Sequence, residues 1–283
     1  MKLAGRHAVI TGAGKGLGKI IAKRFVEEGA SVFLTGRDEE ALEQTKKEIS
    51  VNLQHGQRII SYKLDISIYA EIDKFLKYFY NEFSHLDILV NNAGINGPLG
   101  YIEDVNWGEW VDCFNTNLFG PVYLTRSFLP DMKKRNYGKI IFLSGGGATS
   151  PLPAITAYAA SKVALIRFAE SLSKELSNTK IDVNSIAPGI MKTRITEEYI
   201  ELGSSILEGD FIVKIKEALE KGGVPLEKPA DLAVYLASEE INGMTGRLIS
   251  AAWDPWPFLE KEKENIKNTD VYTLRRTTPS IRK

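Results

Sequence analysis

Seven short apolar runs, separated by stretches with helical spacing, constrain this chain more than any other feature. They are His7–Thr11, Ser31–Thr35, Arg58–Leu64, Asp87–Asn91, Lys139–Ser144, Ile181–Ala187 and Arg247–Ala251. The runs are apolar and often β-branched, which is the pattern of strands buried on both faces. Between them, Leu17, Ile21 and Phe25 fall on one helical stripe, and Leu165, Ala169, Leu172 and Leu176 on another. Strand–helix alternation repeated this often predicts an α/β fold: a doubly wound parallel sheet of about seven strands with helices on both faces. No internal repeat, low-complexity tract or Pro/Ser-rich linker divides the chain, so residues 1–252 are expected to form one domain.

Two segments stand apart. Residues 194–225 have helical character interrupted by Gly203, Gly209, Gly222 and Gly223, and are expected to form a mobile substrate flap. Residues 253–283 follow the last strand and open with Trp253-Asp254-Pro255-Trp256-Pro257. The tail has seven basic and five acidic residues, too balanced for a polybasic anchor. Its two tryptophans predict that its first part packs on the body of the protein.

Bulk chemistry excludes several classes. Lys+Arg and Asp+Glu both number 36, so nothing global favours nucleic acid or an anionic membrane. No apolar run approaches the ~20 residues of a membrane span. The first strand is under way by His7, which leaves no room for a signal peptide, and a cytoplasmic protein is expected. The single cysteine, Cys113, excludes an internal disulfide framework. His7, His55 and His85 are scattered without metal-ligand spacing, and no metal is expected.

The first strand runs into Thr11-Gly12-Ala13-Gly14-Lys15-Gly16-Leu17-Gly18, where a helix begins. Glycines there permit a tight turn and close backbone approach to a pyrophosphate, which the free N–H groups of the helix N-terminus then face. No Gly-Lys-Ser/Thr follows at Walker spacing. Nucleotide choice is expected at the end of the second strand, where an acidic residue suits the ribose of NAD and an arginine the 2′-phosphate of NADP. The sequence there is Leu34-Thr35-Gly36-Arg37. Arg37 offers a bidentate fork and Lys15 a second cation, so NADP(H) is preferred over NAD.

Tyr158 and Lys162 sit four residues apart at the head of a helix-forming stretch, on one helical face. An ammonium beside a phenol favours the phenolate and lowers its pKa from about 10. Tyr158 is therefore expected to donate or accept a proton near neutral pH.

With these pieces in place the chain resembles the short-chain dehydrogenase/reductase superfamily, in its short single-domain branch, from about Gly5 to Ala252. The spacing Thr-Gly-x-x-x-Gly-x-Gly at 11–18 is similar to that branch's cofactor fingerprint, whereas the extended branch would place a glycine at Lys15. Asp65-Ile66 resembles the adenine-contacting pair, and Asn91-Asn92-Ala93-Gly94 the fourth-strand motif beside the cofactor. Asn117 resembles the helix asparagine that positions a proton-relay water. Pro188-Gly189-Ile190, followed by Thr193, resembles the segment that cradles the nicotinamide amide.

The resemblance implies a Rossmann-type fold and hydride transfer between a carbonyl and an alcohol. A developing alkoxide needs a proton and electrostatic stabilisation. Tyr158 would supply the proton, Lys162 would lower its pKa and hold the nicotinamide ribose, and Asn117 would connect the site to solvent. A serine after the fifth strand is implied as the group that polarises the carbonyl. Ungapped alignment on Tyr158 puts Gly145 at that position, with Ser144 one residue early. The run Gly145-Gly146-Gly147 permits a backbone shift, so the role is assigned to Ser144 ahead of Thr149, Ser150 and Thr156. The C-terminus also departs: Thr245-Gly246-Arg247 matches, but Ala251-Ala252-Trp253-Asp254 replaces the usual Val-Asp-Gly-Gly-like ending.

The leading expectation is an NADP(H)-dependent oxidoreductase acting on a small-molecule carbonyl or alcohol. The resemblance adds a homo-oligomer, dimer or tetramer. The displaced serine and unusual tail support an alternative, a nucleotide-binding or regulatory protein that lost turnover. A methyltransferase using the same glycine turn is disfavoured by Arg37 and the Tyr158/Lys162 pair.

Overall fold

All seven apolar runs form strands. The computed structural model describes residues 1–206 and 210–276. Gly209, one of the four glycines expected to interrupt the flap, and residues 277–283 of the tail lie outside the described residues. In chain order the elements open with β1 (His7–Thr11), α1 (Gly16–Glu27), β2 (Ser31–Gly36), α2 (Glu39–Ile49), β3 (Ile59–Lys63), α3 (Tyr69–Glu82) and β4 (Ile88–Asn91). Then follow α4 (Trp107–Phe114), α5 (Gly120–Arg135), β5 (Gly138–Leu143), α6 (Thr156–Glu175) and β6 (Ile181–Ala187). The chain continues through α7 (Arg194–Ile206), α8 (Asp210–Glu220), α9 (Glu227–Ala237), β7 (Arg247–Ser250) and α10 (Leu259–Lys267).

The strands pair in the order β3-β2-β1-β4-β5-β6-β7, every pair parallel. The order reverses between β1 and β4, and a crevice opens beyond the strand ends at such a switch point. Strand side chains alternate between two cores. Ala8, Ile10, Ile88, Val90, Ile141 and Leu143 face the side covered by α1, α2 and α9. Val9, Leu89, Ile140 and Phe142 face the side covered by α3, α5 and α6. The stripes read from sequence fill these cores: Leu17, Ile21 and Phe25 on one side, Leu165, Ala169, Leu172 and Leu176 on the other. Each fully buried side chain of this size contributes roughly 1.5–3 kcal/mol.

Several boundaries differ from the sequence reading. β3 loses Arg58 and Leu64, and β5 ends at Leu143, leaving Ser144 just beyond it. The Ser144 amide still donates to the Ile186 carbonyl at 2.8 Å, so its backbone continues the strand direction by one more bond. Helix α7 continues through Gly203 instead of breaking there. Among the described residues no helix is long and apolar enough to cross a membrane.

The tail is docked. Leu259 and Ile266 on α10 are buried in the α1/α9 core, and Trp256 packs against Tyr235 at 5.8 Å. Trp253, expected to pack as well, is 86% exposed. The buried Arg247 guanidinium donates to the carbonyls of Ile266, Lys267, Thr269 and Val271 at 2.7–3.0 Å. Leu248 N donates to the Tyr272 carbonyl at 2.8 Å, and Leu274 N to Glu170 Oε1 at 2.7 Å. These bonds fasten residues 266–274 to β7 and α6.

Candidate active site

The turn after β1 takes its shape from glycine backbone at two positions, Gly12 with φ +66° and Gly16 with φ +55°. Thr11 Oγ1 accepts from the amides of Asn92 and Ala93, both at 3.0 Å, and Asn92 Nδ2 donates to the Thr11 carbonyl at 2.8 Å. These bonds fix the turn to the end of β4 and make Asn92 a structural tie. A β-carbon on Gly18 would overlap the Gly12 carbonyl, and one on Gly14 would lie 3.2 Å from Ala41, so both serve close packing. A β-carbon on Gly16 would meet nothing within 4 Å. Helix α1 starts there with no side-chain cap and no acidic residue in its first turn. Its free N–H groups and partial positive charge therefore suit an anion.

At the outer end, Arg37 is exposed just past β2 and carries no ion pair among the described residues. Lys15 behaves otherwise: its Nζ bonds Asp38 Oδ2 at 2.7 Å and holds that carboxyl below its usual range. The pair is exposed, so the tie is weak. Arg37 borders a recess shared with Asp65, Ser67, Gly94 and Thr116. Asp65 Oδ1 accepts from Ser67 N and Oγ at 2.9 and 2.7 Å, which turns the chain after β3, and Ile66 is buried beneath it.

Tyr158 and Lys162 share one face of α6 and are both buried. Lys162 Nζ lies over the Tyr158 ring, 5.6 Å from its centroid, and donates to the Leu143 carbonyl at 2.9 Å. Burial pulls Lys162 down to about 8 and pushes the Tyr158 phenol well above its ordinary value. The lowered phenol pKa expected from sequence is thus corrected. Water is withdrawn from both groups, and the ammonium faces the ring and a carbonyl.

Ser144 is buried, and its Oγ has no hydrogen-bond partner among the described residues. It lines one cavity with Tyr158 and Lys162. Gly145, where ungapped alignment expects a serine, lies against the Tyr158 hydroxyl, and a β-carbon there would overlap it. The Tyr158 hydroxyl fills the space a side chain at 145 would need.

Asn117 sits in a π-helical turn (Asn115–Phe119) between α4 and α5 and is fully buried. Its Oδ1 accepts from Ile95 N at 2.8 Å, and its Nδ2 donates to Ile95 O at 2.9 Å and Ser161 Oγ at 3.1 Å. The side chain pins the loop after β4 to α6. Asn117 Oδ1 and Lys162 Nζ flank Gly94, 3.2 and 3.3 Å from where its β-carbon would stand.

The cavity, about 320 Å³, joins Gly12 and Lys15 through Ala93 and Gly94 to Ser144, Tyr158 and Lys162. It continues past Pro188, Gly189, Ile190 and Thr193, so it gathers most of the residues read from sequence. Gly14, Arg37, Asp65, Ile66 and Asn117 do not line it. The far wall is formed by Leu152, Met191, Ile195, Tyr199 and Ile215; none was named as a site residue from sequence, although the last three fall within the segment expected as a flap. The Tyr199 ring stands edge-on to Tyr158 at 6.4 Å. Helix α7 is held there by Asn96 Nδ2, which donates to Ile195 O at 3.1 Å and Glu198 Oε2 at 2.6 Å. The flap's amphipathic spacing was the available signal, but only packing reveals which ring reaches Tyr158.

Far from this cavity, His7, His85 and Asp87 bring three potential ligand atoms within 4.8 Å. His7 Nδ1 contacts the His85 carbonyl at 3.1 Å and Asp87 pairs with Arg135 at 3.1 Å, so the cluster is already internally satisfied.

A family model described as short chain dehydrogenase matches residues 6–201. A diacetyl reductase ((S)-acetoin forming) of Staphylococcus epidermidis is 31% identical over 252 residues, covering 86% of this chain and 96% of that protein. A 3-oxoacyl-(acyl-carrier-protein) reductase of Aquifex aeolicus is 30% identical, covering 88% of this chain and 96% of that protein. Among solved structures, an actinorhodin polyketide ketoreductase variant with NADPH superposes with TM-score 0.79 at 29% identity, covering 87% of this chain and 95% of that one. An NAD+-bound xylitol dehydrogenase, 24% identical, shares the fold with TM-score 0.81 over 88% of this chain and 98% of that one.

Proposed function

The chain belongs to the short chain dehydrogenase family, and on that premise we propose that it is an NADP(H)-dependent oxidoreductase interconverting a carbonyl and an alcohol, with Tyr158 as general acid/base. The observation that carries this reading is the single cavity joining an uncapped, acid-free helix N-terminus to the buried Tyr158/Lys162 pair. A dinucleotide would lie with its nicotinamide in this cavity and its pyrophosphate at Gly12–Gly18, and would extend outside it to bring the 2′-phosphate to the exposed Arg37. When bound, the nicotinamide supplies or accepts the hydride. Tyr158 holds the proton delivered to the carbonyl oxygen. Lys162, charged below about pH 8, stabilises the phenolate left behind. Ser144 Oγ, with no other partner among the described residues, orients the carbonyl. Asn117 positions the loop after β4 and, with it, the path to solvent. The described parts of the expected flap, 194–206 and 210–225, close over the substrate, and the enzyme works as a cytoplasmic homo-oligomer.

The test is oxidation of NADPH and of NADH against a panel of aldehydes and ketones. Carbonyl-dependent turnover with a lower KM for NADPH is expected. A lower KM for NADH would contradict the role of Arg37. The alternative, a nucleotide-binding protein without turnover, draws on Gly145 standing where a serine is usual. Nucleotide binding without oxidation across the panel would favour it.

A further inference from the structure

A second cavity, of about 760 Å³, lies beside the first and shares the backbone of Gly145, Gly146, Pro188, Gly189 and Ile190 as its wall. Its remaining walls come from the end of α8, the end of β7 and the docked tail. Its surface is mostly apolar, from Ile190, Val224, Leu248, Trp253, Tyr272 and Leu274.

Two carboxylates line this surface, Asp254 and the exposed Glu217. Asp254 is half-buried, and its Oδ2 accepts from Ser250 N at 2.7 Å. No cation pairs with Asp254 among the described residues. Burial raises its carboxyl pKa, and the Tyr272 phenol is raised first by burial and then by the nearby Asp254 charge. Glu217 and Lys221 are exposed at the rim, where solvent screens their charges, whereas Asp254 is half-buried. Tyr272 has a left-handed backbone, φ +60°, which a non-glycine residue seldom adopts. Its carbonyl bond from Leu248 and the Arg247 clamp on the preceding carbonyls hold that conformation. The tail is thus fixed as a wall, and strained backbone held this firmly is found at binding sites.

We propose that this chamber is a second ligand site, which takes a small molecule with an apolar, aromatic-sized body and a protonated amine directed at Asp254. The apolar walls take up the body, and Asp254, with no counter-ion among the described residues, takes the ammonium. The site stands independently of the reaction assigned to Tyr158.

Calorimetric titration of the full-length protein with phenethylamine and with phenethyl alcohol tests it. The amine is expected to bind on the order of tenfold more tightly than the alcohol, the size of one partly buried ion pair. Asp254→Asn keeps the acceptor for Ser250 N and is expected to abolish the difference, while Tyr158→Phe preserves it. Equal affinity of the two probes for the wild-type protein, or no binding of either, would overturn the proposal without use of a variant. A preference that survives Asp254→Asn, or one lost in Tyr158→Phe, would overturn it too, the latter by moving the ligand into the neighbouring cavity.

Discussion

At the scale of single residues, the account turns on what surrounds the Tyr158 hydroxyl. Because Gly145 lies against it, Gly145→Ser is expected to displace the ring and lower kcat/KM instead of restoring a missing serine. Ser144→Ala, by contrast, removes a donor without disturbing packing, with an expected loss of about 10²–10³-fold in kcat. Steady-state kinetics of the two variants checks both, and full activity in Ser144→Ala would remove that residue from the mechanism. The pair also sets a pH profile. Lys162 is pulled down to about 8, whereas Tyr158 stays protonated across the same range. Reduction needs a protonated phenol beside a charged lysine, so its kcat/KM is expected to be flat below about pH 8 and to fall roughly tenfold per unit above it. The sign for stability is the reverse. Between about 8 and the unfolded value of 10.5 the unfolded chain binds more protons, so Lys162 adds stability as pH rises through that window. The sequence identified the pair from its spacing, but the raised phenol pKa depends on burial that no motif encodes.

At the scale of elements, strands and helices followed closely from periodicity because buried parallel strands are continuous apolar runs. The misplaced ends, Leu64 beyond β3 and Ser144 beyond β5, still donate their amides to the next strand, to the Gly36 and Ile186 carbonyls at 2.8 Å, so the ladder frays there by one residue. The tail was harder to read. Its docking depends on Arg247, which looks in sequence like one more strand residue, yet its buried guanidinium holds four tail carbonyls. Hydrogen bonds to a charged group are worth about 1.5–3 kcal/mol each when lost from a buried setting. Arg247→Met is therefore expected to lower Tm by several degrees and to open residues 253–276 to limited proteolysis before the rest of the chain. An unchanged Tm with a protease-resistant tail would show that α10 docks through Leu259 and Ile266 alone.

At the scale of the whole molecule, the order β3-β2-β1-β4-β5-β6-β7 places the glycine turn, Gly94, Tyr158/Lys162 and Pro188-Gly189 at the same edge of the sheet, although they span most of the chain. That convergence was readable because each motif sits at the end of a recognisable strand or at the head of the helix that follows. Which side chains of the expected flap segment reach the cavity was not, because Tyr199 and Ile215 arrive from α7 and α8, whose placement depends on tertiary contacts such as Asn96 with Glu198. The central claim is that this convergence delivers a proton from Tyr158 to a carbonyl oxygen. It is tested most directly by kcat/KM of Tyr158→Phe against wild type, with NADPH and the best carbonyl substrate, alongside NADPH affinity. The account predicts a loss of about 10²–10⁴-fold with nucleotide binding preserved; full activity in the variant would contradict it.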